Sequence, residues 1–188
     1  MTQHVRPFAI LVALVWAAAG CSTSTTDLFG TRQQFAHNVN PAIPLALRPP
    51  LGERLLAKAR ASGVQVYRCE QVEGAGYDWV SRGVDADLYD GDGDRIGRHT
   101  TGPTWEYPGG TRVSGAQEAR LPLRDNAAWL LLRARSGDNR GTLSRVDYIQ
   151  RLNTVGGLPP AGQCDGRDGG REFRAPYTAD YYFYGRPE

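Results

Sequence analysis

The sequence predicts an all-β protein, an antiparallel sandwich or barrel of about eight strands with one short N-terminal helix. Short runs of alternating apolar and polar residues recur through most of the chain, and these runs are rich in β-branched and aromatic residues. Clusters of Gly, Asp, Asn and Pro separate them, as turns separate strands. In the run Val64–Cys69, for example, odd-numbered and even-numbered residues fall on opposite faces of a strand.

The helix is predicted over residues 50–62, ahead of the first strand. Leu51, Leu55 and Ala59 are spaced four apart, which places them on one helical face, and charged residues occupy other positions. Gly63 follows as a C-terminal stop signal. We expect this helix to pack across one end of the sheet.

The strands follow in a series interrupted by turn residues. They are predicted near residues 64–71, 77–81, 84–89, 95–100, 111–122, 128–135, 142–153 and 172–184. The run 143–152 is the least regular, since Val146, Ile149 and Leu152 also fit a helical period. The last strand carries aromatic residues on both faces. One of those faces is expected in the core, and the other either stacks on a glycan or covers a sheet edge.

The N-terminal residues predict export from the cytoplasm. Arg6 precedes an uncharged apolar run, Phe8–Gly20, which is too short to span a bilayer and fits a secretory signal. The run ends at Cys21 and resembles the lipobox of bacterial lipoproteins, although Ala18 stands where Leu is commonest. Ordinary signal cleavage after Ala19 is the alternative.

Three segments are therefore expected. Residues 1–20 form the signal peptide, residues 21–42 the lipidated cysteine and a flexible tether, and residues 43–188 a single β domain. Ser22 after the cysteine resembles the signal that sends lipoproteins to the outer membrane, here facing the periplasm. The membrane is thus an expected partner through a lipid on Cys21.

The cysteine count supports the same interpretation. Three cysteines would leave one stray thiol in an oxidising compartment, but a lipidated Cys21 leaves Cys69 and Cys164 as a pair. Neither belongs to a Cys-x-x-Cys element. We therefore predict a structural disulfide between them.

Composition and motifs exclude several function classes. A formal net charge of +2, from 22 basic and 20 acidic residues, does not provide a nucleic-acid footprint. Dinucleotide, phosphate-loop, zinc-binding and Gly-x-Ser-x-Gly motifs are absent, so no cofactor or metal is expected. Asp90–Asp94 resembles the start of a calcium loop, but Arg95 and Thr101 replace the glycine and glutamate that such a loop requires. A solvated hairpin turn explains it better.

Two clusters could serve a site. His99, Trp105 and Glu106 combine a proton-exchanging pair with an apolar wall for a ligand, although a turn followed by a packing tryptophan explains the same residues. A second group, beside a Gly-Gly turn, gathers hydrogen-bonding side chains suited to carbonyl, carboxylate or sugar hydroxyl groups, or simply to nearby loop carbonyls. It consists of Gln150, Arg151 and Asn153.

A family resemblance rests on five motifs in order. They are 63–69, 97–106, 129–132, 148–157 and 176–181. Together they resemble the secreted bacterial and fungal family described as domain of unknown function 3455, from about Ile43 to Tyr184. The resemblance implies no activity or catalytic residue.

The function expected from the sequence is a non-catalytic binding module of the cell envelope, for a small molecule, a glycan or a partner protein. One alternative is a hydrolase-like enzyme that uses His99 and Glu106 as an acid/base pair. The other is a structural envelope protein without a ligand, in which Trp105, Trp129 and Tyr181 all lie in the core.

Overall fold

The computed structural model describes residues 43–136 and 141–186, which form a closed antiparallel barrel. Its strands are β1 (Arg54–Val72), β2 (Gly76–Tyr89), β3 (Arg95–Thr100), β4 (Thr104–Glu106), β5 (Arg112–Leu121), β6 (Trp129–Ser136), β7 (Tyr148–Gly156) and β8 (Glu172–Gly185). Each strand pairs with the next in sequence, and β8 returns to pair with β1. The all-β prediction is confirmed, and of its two architectures the chain adopts the barrel.

Alternation along the strands fills the barrel with side chains of complementary size. On β8, Tyr177, Tyr181 and Phe183 point inward and are buried. The facing positions on β1 are small: Ala59 pairs with Tyr181, and Gly63 pairs with Tyr177. Bulky rings from one strand therefore occupy the space that small residues leave on the next, as in other small barrels.

The predicted helix over 50–62 is wrong, because β1 already begins at Arg54. Its Leu, Ala, Lys and Arg residues favour helix locally, but every second residue also suits the barrel interior, and β2 and β8 both supply backbone hydrogen bonds. Gly63 lies inside the strand, where a Cβ would sit 2.2 Å from the carbonyl oxygen of Asp85. The described residues contain only three 3₁₀ turns, Leu45–Leu47, Thr142–Arg145 and Gly166–Asp168.

Several strand boundaries also differ from the prediction. The two runs predicted at 77–81 and 84–89 form one strand, β2, with an irregularity opposite Val66 and Tyr67. The short strand β4 was not predicted, because three residues carry too little alternation to be recognised. In the run predicted over 142–153, a 3₁₀ turn comes first and β7 starts at Tyr148.

Residues ahead of β1 cover part of the outer wall. Ile43 and Leu47 are buried against a patch of outward-facing apolar residues on β6, β7 and β8. The loop Asp90–Asp94 is the turn between β2 and β3, in which the Asp90 carboxylate accepts hydrogen bonds from two backbone amides of the loop. None of the helical segments in the described ranges is long and apolar enough to cross a membrane. The predicted signal, Cys21 and the tether lie outside the described residues.

Candidate functional site

One end of the barrel contains a cavity of about 500 Å³. Its wall is formed by inward-facing residues of the strands, and its mouth by the loops β3–β4, β5–β6 and β7–β8. Aromatic side chains make up much of this wall: Tyr67, Trp79, Trp105 and Tyr181. A volume of this size is typical of pockets that hold small organic molecules.

The deepest part of the wall is a cluster of three rings. His99 and Trp105 are directly paired across β3 and β4, and their rings stack at 4.3 Å with an interplanar angle of 6°. The ring of Tyr181 meets both of them edge-on, at 5.0 and 5.2 Å. Gly115 on β5 leaves room for the indole, since a Cβ there would lie 3.1 Å from Trp105 Cζ3. All three rings are almost fully buried.

His99 is neutral in this environment. Burial lowers its pKa to about 3; the hydrogen bond to the Thr104 backbone opposes this shift, and the nearby charge of Arg151 adds to it. Nδ1 lies 2.9 Å from the Thr104 carbonyl oxygen, which can only accept a hydrogen bond. Nδ1 therefore carries the proton, and Nε2 keeps its lone pair.

Arg151 brings a positive charge into the barrel. It pairs with Leu130 and Tyr181 on the neighbouring strands, and all three residues line the cavity. Its Nε and Nη2 both donate to the carbonyl oxygen of Ala128, at 3.0 and 2.8 Å. Burial raises the pKa of the Tyr181 hydroxyl, and the Arg151 guanidinium opposes that shift. The guanidinium thus has polar neighbours that are all uncharged.

A second arginine, Arg120, lies at the rim of the same cavity and is exposed. Burial raises the pKa of Tyr67, whereas the charges of Arg151 and Arg120 both lower it. Both guanidinium groups therefore act on the part of the cavity next to Tyr67. The hydroxyl of Tyr67 donates to the Gly157 carbonyl oxygen at 2.7 Å, which joins β1 to the start of the β7–β8 loop.

The predicted disulfide is confirmed, and it fixes the loop at the mouth of the cavity. Cys69 on β1 is bonded to Cys164 in the β7–β8 loop, with the Cα atoms 6.1 Å apart. Backbone hydrogen bonds join Cys69 to Gly170 and Arg171 at the far end of the same loop. Because Leu158 in this loop lines the cavity, the disulfide holds one side of the mouth in place.

Comparison with known families identifies the chain. The model of the family described as protein of unknown function (DUF3455) matches residues 50–185. The chain belongs to this family. The match covers all eight strands of the barrel and every residue that lines the cavity. No curated protein and no solved structure shows a significant match to the chain.

In this DUF3455 chain, three of the residues predicted for a site lie together in the cavity: His99, Trp105 and Arg151. Glu106 does not join them. Because His99 is paired with Trp105 and both point inward, the next residue on β4 points outward, where Glu106 is exposed and forms an ion pair with Arg112 at 3.0 Å. The structure therefore places the two members of the predicted acid/base pair on opposite faces of the barrel wall.

The polar cluster on β7 is divided in the same way. Gln150 is buried on the outer face, where it donates to the Leu47 carbonyl oxygen at 2.6 Å and accepts from the Tyr184 hydroxyl. Asn153 is exposed with a φ of 50° and donates to the carboxylate of Asp180. Both residues hold the fold together, and Arg151 between them is the member that reaches the cavity.

Sequence reasoning missed further residues of this DUF3455 site, among them Tyr67 and Arg120. The alternation of β1 placed Tyr67 on a face with Gln65, so its inward orientation was readable once that face was assigned to the interior. Arg120 gave no such signal, because an irregularity between Gln117 and Ala119 shifts the register of β5 just before it. Among the described residues, no group of three or more His, Cys, Asp or Glu side chains is arranged to hold a metal ion.

Proposed function

We propose that this protein is a non-catalytic binding module that holds a small organic molecule in the end cavity of its barrel. The observation that most directly supports this proposal is the cavity itself, which has a volume of about 500 Å³ and contains a cluster of buried aromatic rings. Rigid aromatic walls with a few fixed polar groups are the usual composition of small-molecule pockets. Of the three ligand classes expected from the sequence, a cavity within the end of the barrel favours the small molecule over a glycan chain or a partner protein.

The arrangement of polar groups supports binding over catalysis. His99 donates through Nδ1 to the backbone and is held neutral, and the Glu106 carboxylate lies on the outer face of the wall. A proton-transfer pair needs both groups within hydrogen-bond distance of the same substrate atom or connected through one water molecule. The inner wall instead presents the donor groups of Arg151 and Arg120 beside aromatic surface, which suits recognition of a ligand.

The test is a fluorescence titration with N-phenyl-1-naphthylamine, an uncharged aromatic amine whose emission rises in apolar surroundings. Ser81 lines the cavity near its exposed mouth, so Ser81→Trp introduces an indole at the entrance. We expect this variant to weaken binding at least tenfold. The matched control is Ser62→Trp, which adds the same ring at an exposed position on β1 that does not line the cavity and leaves the affinity unchanged.

Two results would contradict the proposal. One is that the wild-type protein binds neither this amine nor its sulfonated analogue, 1-anilinonaphthalene-8-sulfonate. The other is equal affinity in the two tryptophan variants, since binding would then occur elsewhere on the surface. A thermal melt of each variant controls for loss of fold.

We further propose that the barrel works in the cell envelope, anchored by a lipid on Cys21. The support is the apolar run Phe8–Gly20 behind a basic start, together with the two remaining cysteines, which form the disulfide of an oxidising compartment. Cys21→Ser should move the protein from the membrane fraction to the soluble fraction after cell breakage. Recovery of this variant with the outer membrane would contradict the proposed lipid anchor.

A further inference from the structure

We infer that the ligand of this cavity is an organic anion, an aromatic acid whose negative group pairs with Arg151. This inference rests on the proposed function and names the chemical class of the ligand. It comes from the charges on the cavity wall. Two residues of the lining, Arg151 and Arg120, are cationic, and none is Asp or Glu.

Arg151 has no counter-ion in the part of the chain that the structure describes. Its guanidinium donates to the carbonyl oxygen of Ala128, interacts with the hydroxyls of Tyr177 and Tyr181 and lies 6.0 Å from the Tyr177 ring centroid. All of these partners are uncharged, and within the described residues Arg151 forms no ion pair. Several other arginines of the barrel do have carboxylate partners: Arg98 and Arg174 both contact Asp85, and Arg82 contacts Glu70. A half-buried guanidinium without a carboxylate carries a desolvation cost that an anionic ligand offsets.

The remaining polar groups on the wall also favour a ligand rich in hydrogen-bond acceptors. Two buried N–H donors, Gln65 Nε2 and Trp105 Nε1, have no partner within the described chain, and both residues line the cavity. Together with the two guanidinium groups, they give a wall dominated by donors. The oxygens of a carboxylate or sulfonate accept several such hydrogen bonds at once.

The aromatic cluster determines the rest of the ligand. The rings of Trp105 and Tyr181 contact each other and provide apolar surface in the same cavity as Arg151, and His99, which contacts both rings, adds no charge because it is neutral. A flat ring system packs against such a wall, with offset-stacked or edge-to-face contacts. An aromatic body with one acidic group therefore matches both the shape and the charge of the site.

The test compares two compounds with the same anilinonaphthalene body. One is N-phenyl-1-naphthylamine, which is uncharged, and the other is 1-anilinonaphthalene-8-sulfonate, which adds a single anionic group. We expect the wild-type protein to bind the sulfonate at least tenfold more tightly than the uncharged amine at low ionic strength. Because a hydrogen bond to a charged group contributes more than a neutral one, Arg151→Gln should weaken sulfonate binding roughly ten- to hundredfold. It should leave binding of the amine within about threefold.

The matched control is Arg60→Gln, which removes one positive charge from the outer face of β1 and should leave both affinities unchanged. Arg120→Gln, at the exposed rim, gives a second measurement that does not disturb the interior, and we expect a smaller loss, restricted to the sulfonate. If Arg151→Gln does not fold, the wild-type ratio and Arg120→Gln decide. Equal affinity of the wild-type protein for the two compounds would overturn the anion assignment alone. Failure of both compounds to bind would overturn the proposed function itself.

Discussion

Acidification should destabilise this protein through His99, well above the pH at which carboxylates titrate. The ring is 2% exposed and stacked on Trp105, and burial lowers its pKa to about 3. In the unfolded chain the same group has its ordinary value of 6.5. Below that value the unfolded state binds a proton that the folded state does not bind, so stability falls as the pH falls. The stabilisation is fully present above pH 6.5 and is lost progressively toward pH 3.

The size of the effect follows from the two pKa values. Each pH unit below 6.5 shifts the balance by about 1.4 kcal/mol until the folded state also protonates. Between pH 8 and pH 5 the His99 contribution to the free energy of unfolding should therefore fall by about 2 kcal/mol. Asp85, whose pKa is lowered by its hydrogen bond to Arg98, titrates below this window. Glu53 acts in the opposite sense, because burial raises its pKa.

The assay is urea unfolding at pH 8, 7, 6 and 5, with the disulfide intact. It compares the wild-type protein with His99→Phe, which keeps an aromatic ring beside Trp105 and removes the titrating group. The variant loses the hydrogen bond to Thr104, so its stability at pH 8 will be lower. Its pH dependence should nevertheless be flatter than that of the wild-type protein by about 2 kcal/mol over the three units. Glu53 titrates in both proteins, so its effect cancels in the comparison. Parallel pH profiles for the two proteins would refute a neutral, buried His99.

Four more outcomes are expected. The affinity of the cavity for the sulfonate should stay constant from pH 5 to pH 8, because His99 does not titrate in that range when folded; a tenfold change would contradict this. Replacing Cys69 and Cys164 by alanine removes a disulfide between residues that are 95 apart in sequence. In the chain-entropy model this should lower the free energy of unfolding by about 4 to 5 kcal/mol. Equal denaturation midpoints before and after the replacement would refute a stabilising disulfide. Trp105→Ala, measured by urea unfolding and dye titration, should cost about 3 to 5 kcal/mol of stability and abolish binding, whereas an unchanged midpoint would contradict its burial. Glu106→Gln should change the free energy of unfolding by less than about 0.5 kcal/mol and leave dye affinity unchanged. A loss of binding would show that Glu106 belongs to the binding site.

The all-β architecture could be predicted from the sequence because local residue patterns mark most of the strands. Alternation and turn residues mark most strands, and the aromatic face of β8 is visible in the order Tyr177, Ala179, Tyr181 and Phe183. The helix prediction failed because the same spacing of apolar residues fits one face of a helix and one face of a strand. Residues spaced four apart, such as Leu55 and Ala59, also share one face of a strand, and the pairing partners that favour the strand lie far away in sequence.

The site was only partly predictable, because its composition depends on which way each side chain points. His99 and Glu106 are seven residues apart with a tight turn between them, and only the pairing of His99 with Trp105 reveals that they face opposite sides. On β7, neighbouring residues alternate, so Arg151 faces the cavity and Gln150 the outer wall. An irregularity in the strand pairing, such as the one before Arg120, reverses this alternation without a sequence signal.

The most direct measurement is a crystal structure of the protein with 1-anilinonaphthalene-8-sulfonate bound. We expect the naphthalene body inside the end cavity, against Trp105 and Tyr181, with a sulfonate oxygen about 3 Å from a guanidinium nitrogen of Arg151. A cavity that excludes the compound, or a sulfonate group turned away from both Arg151 and Arg120, would contradict an anion-binding barrel.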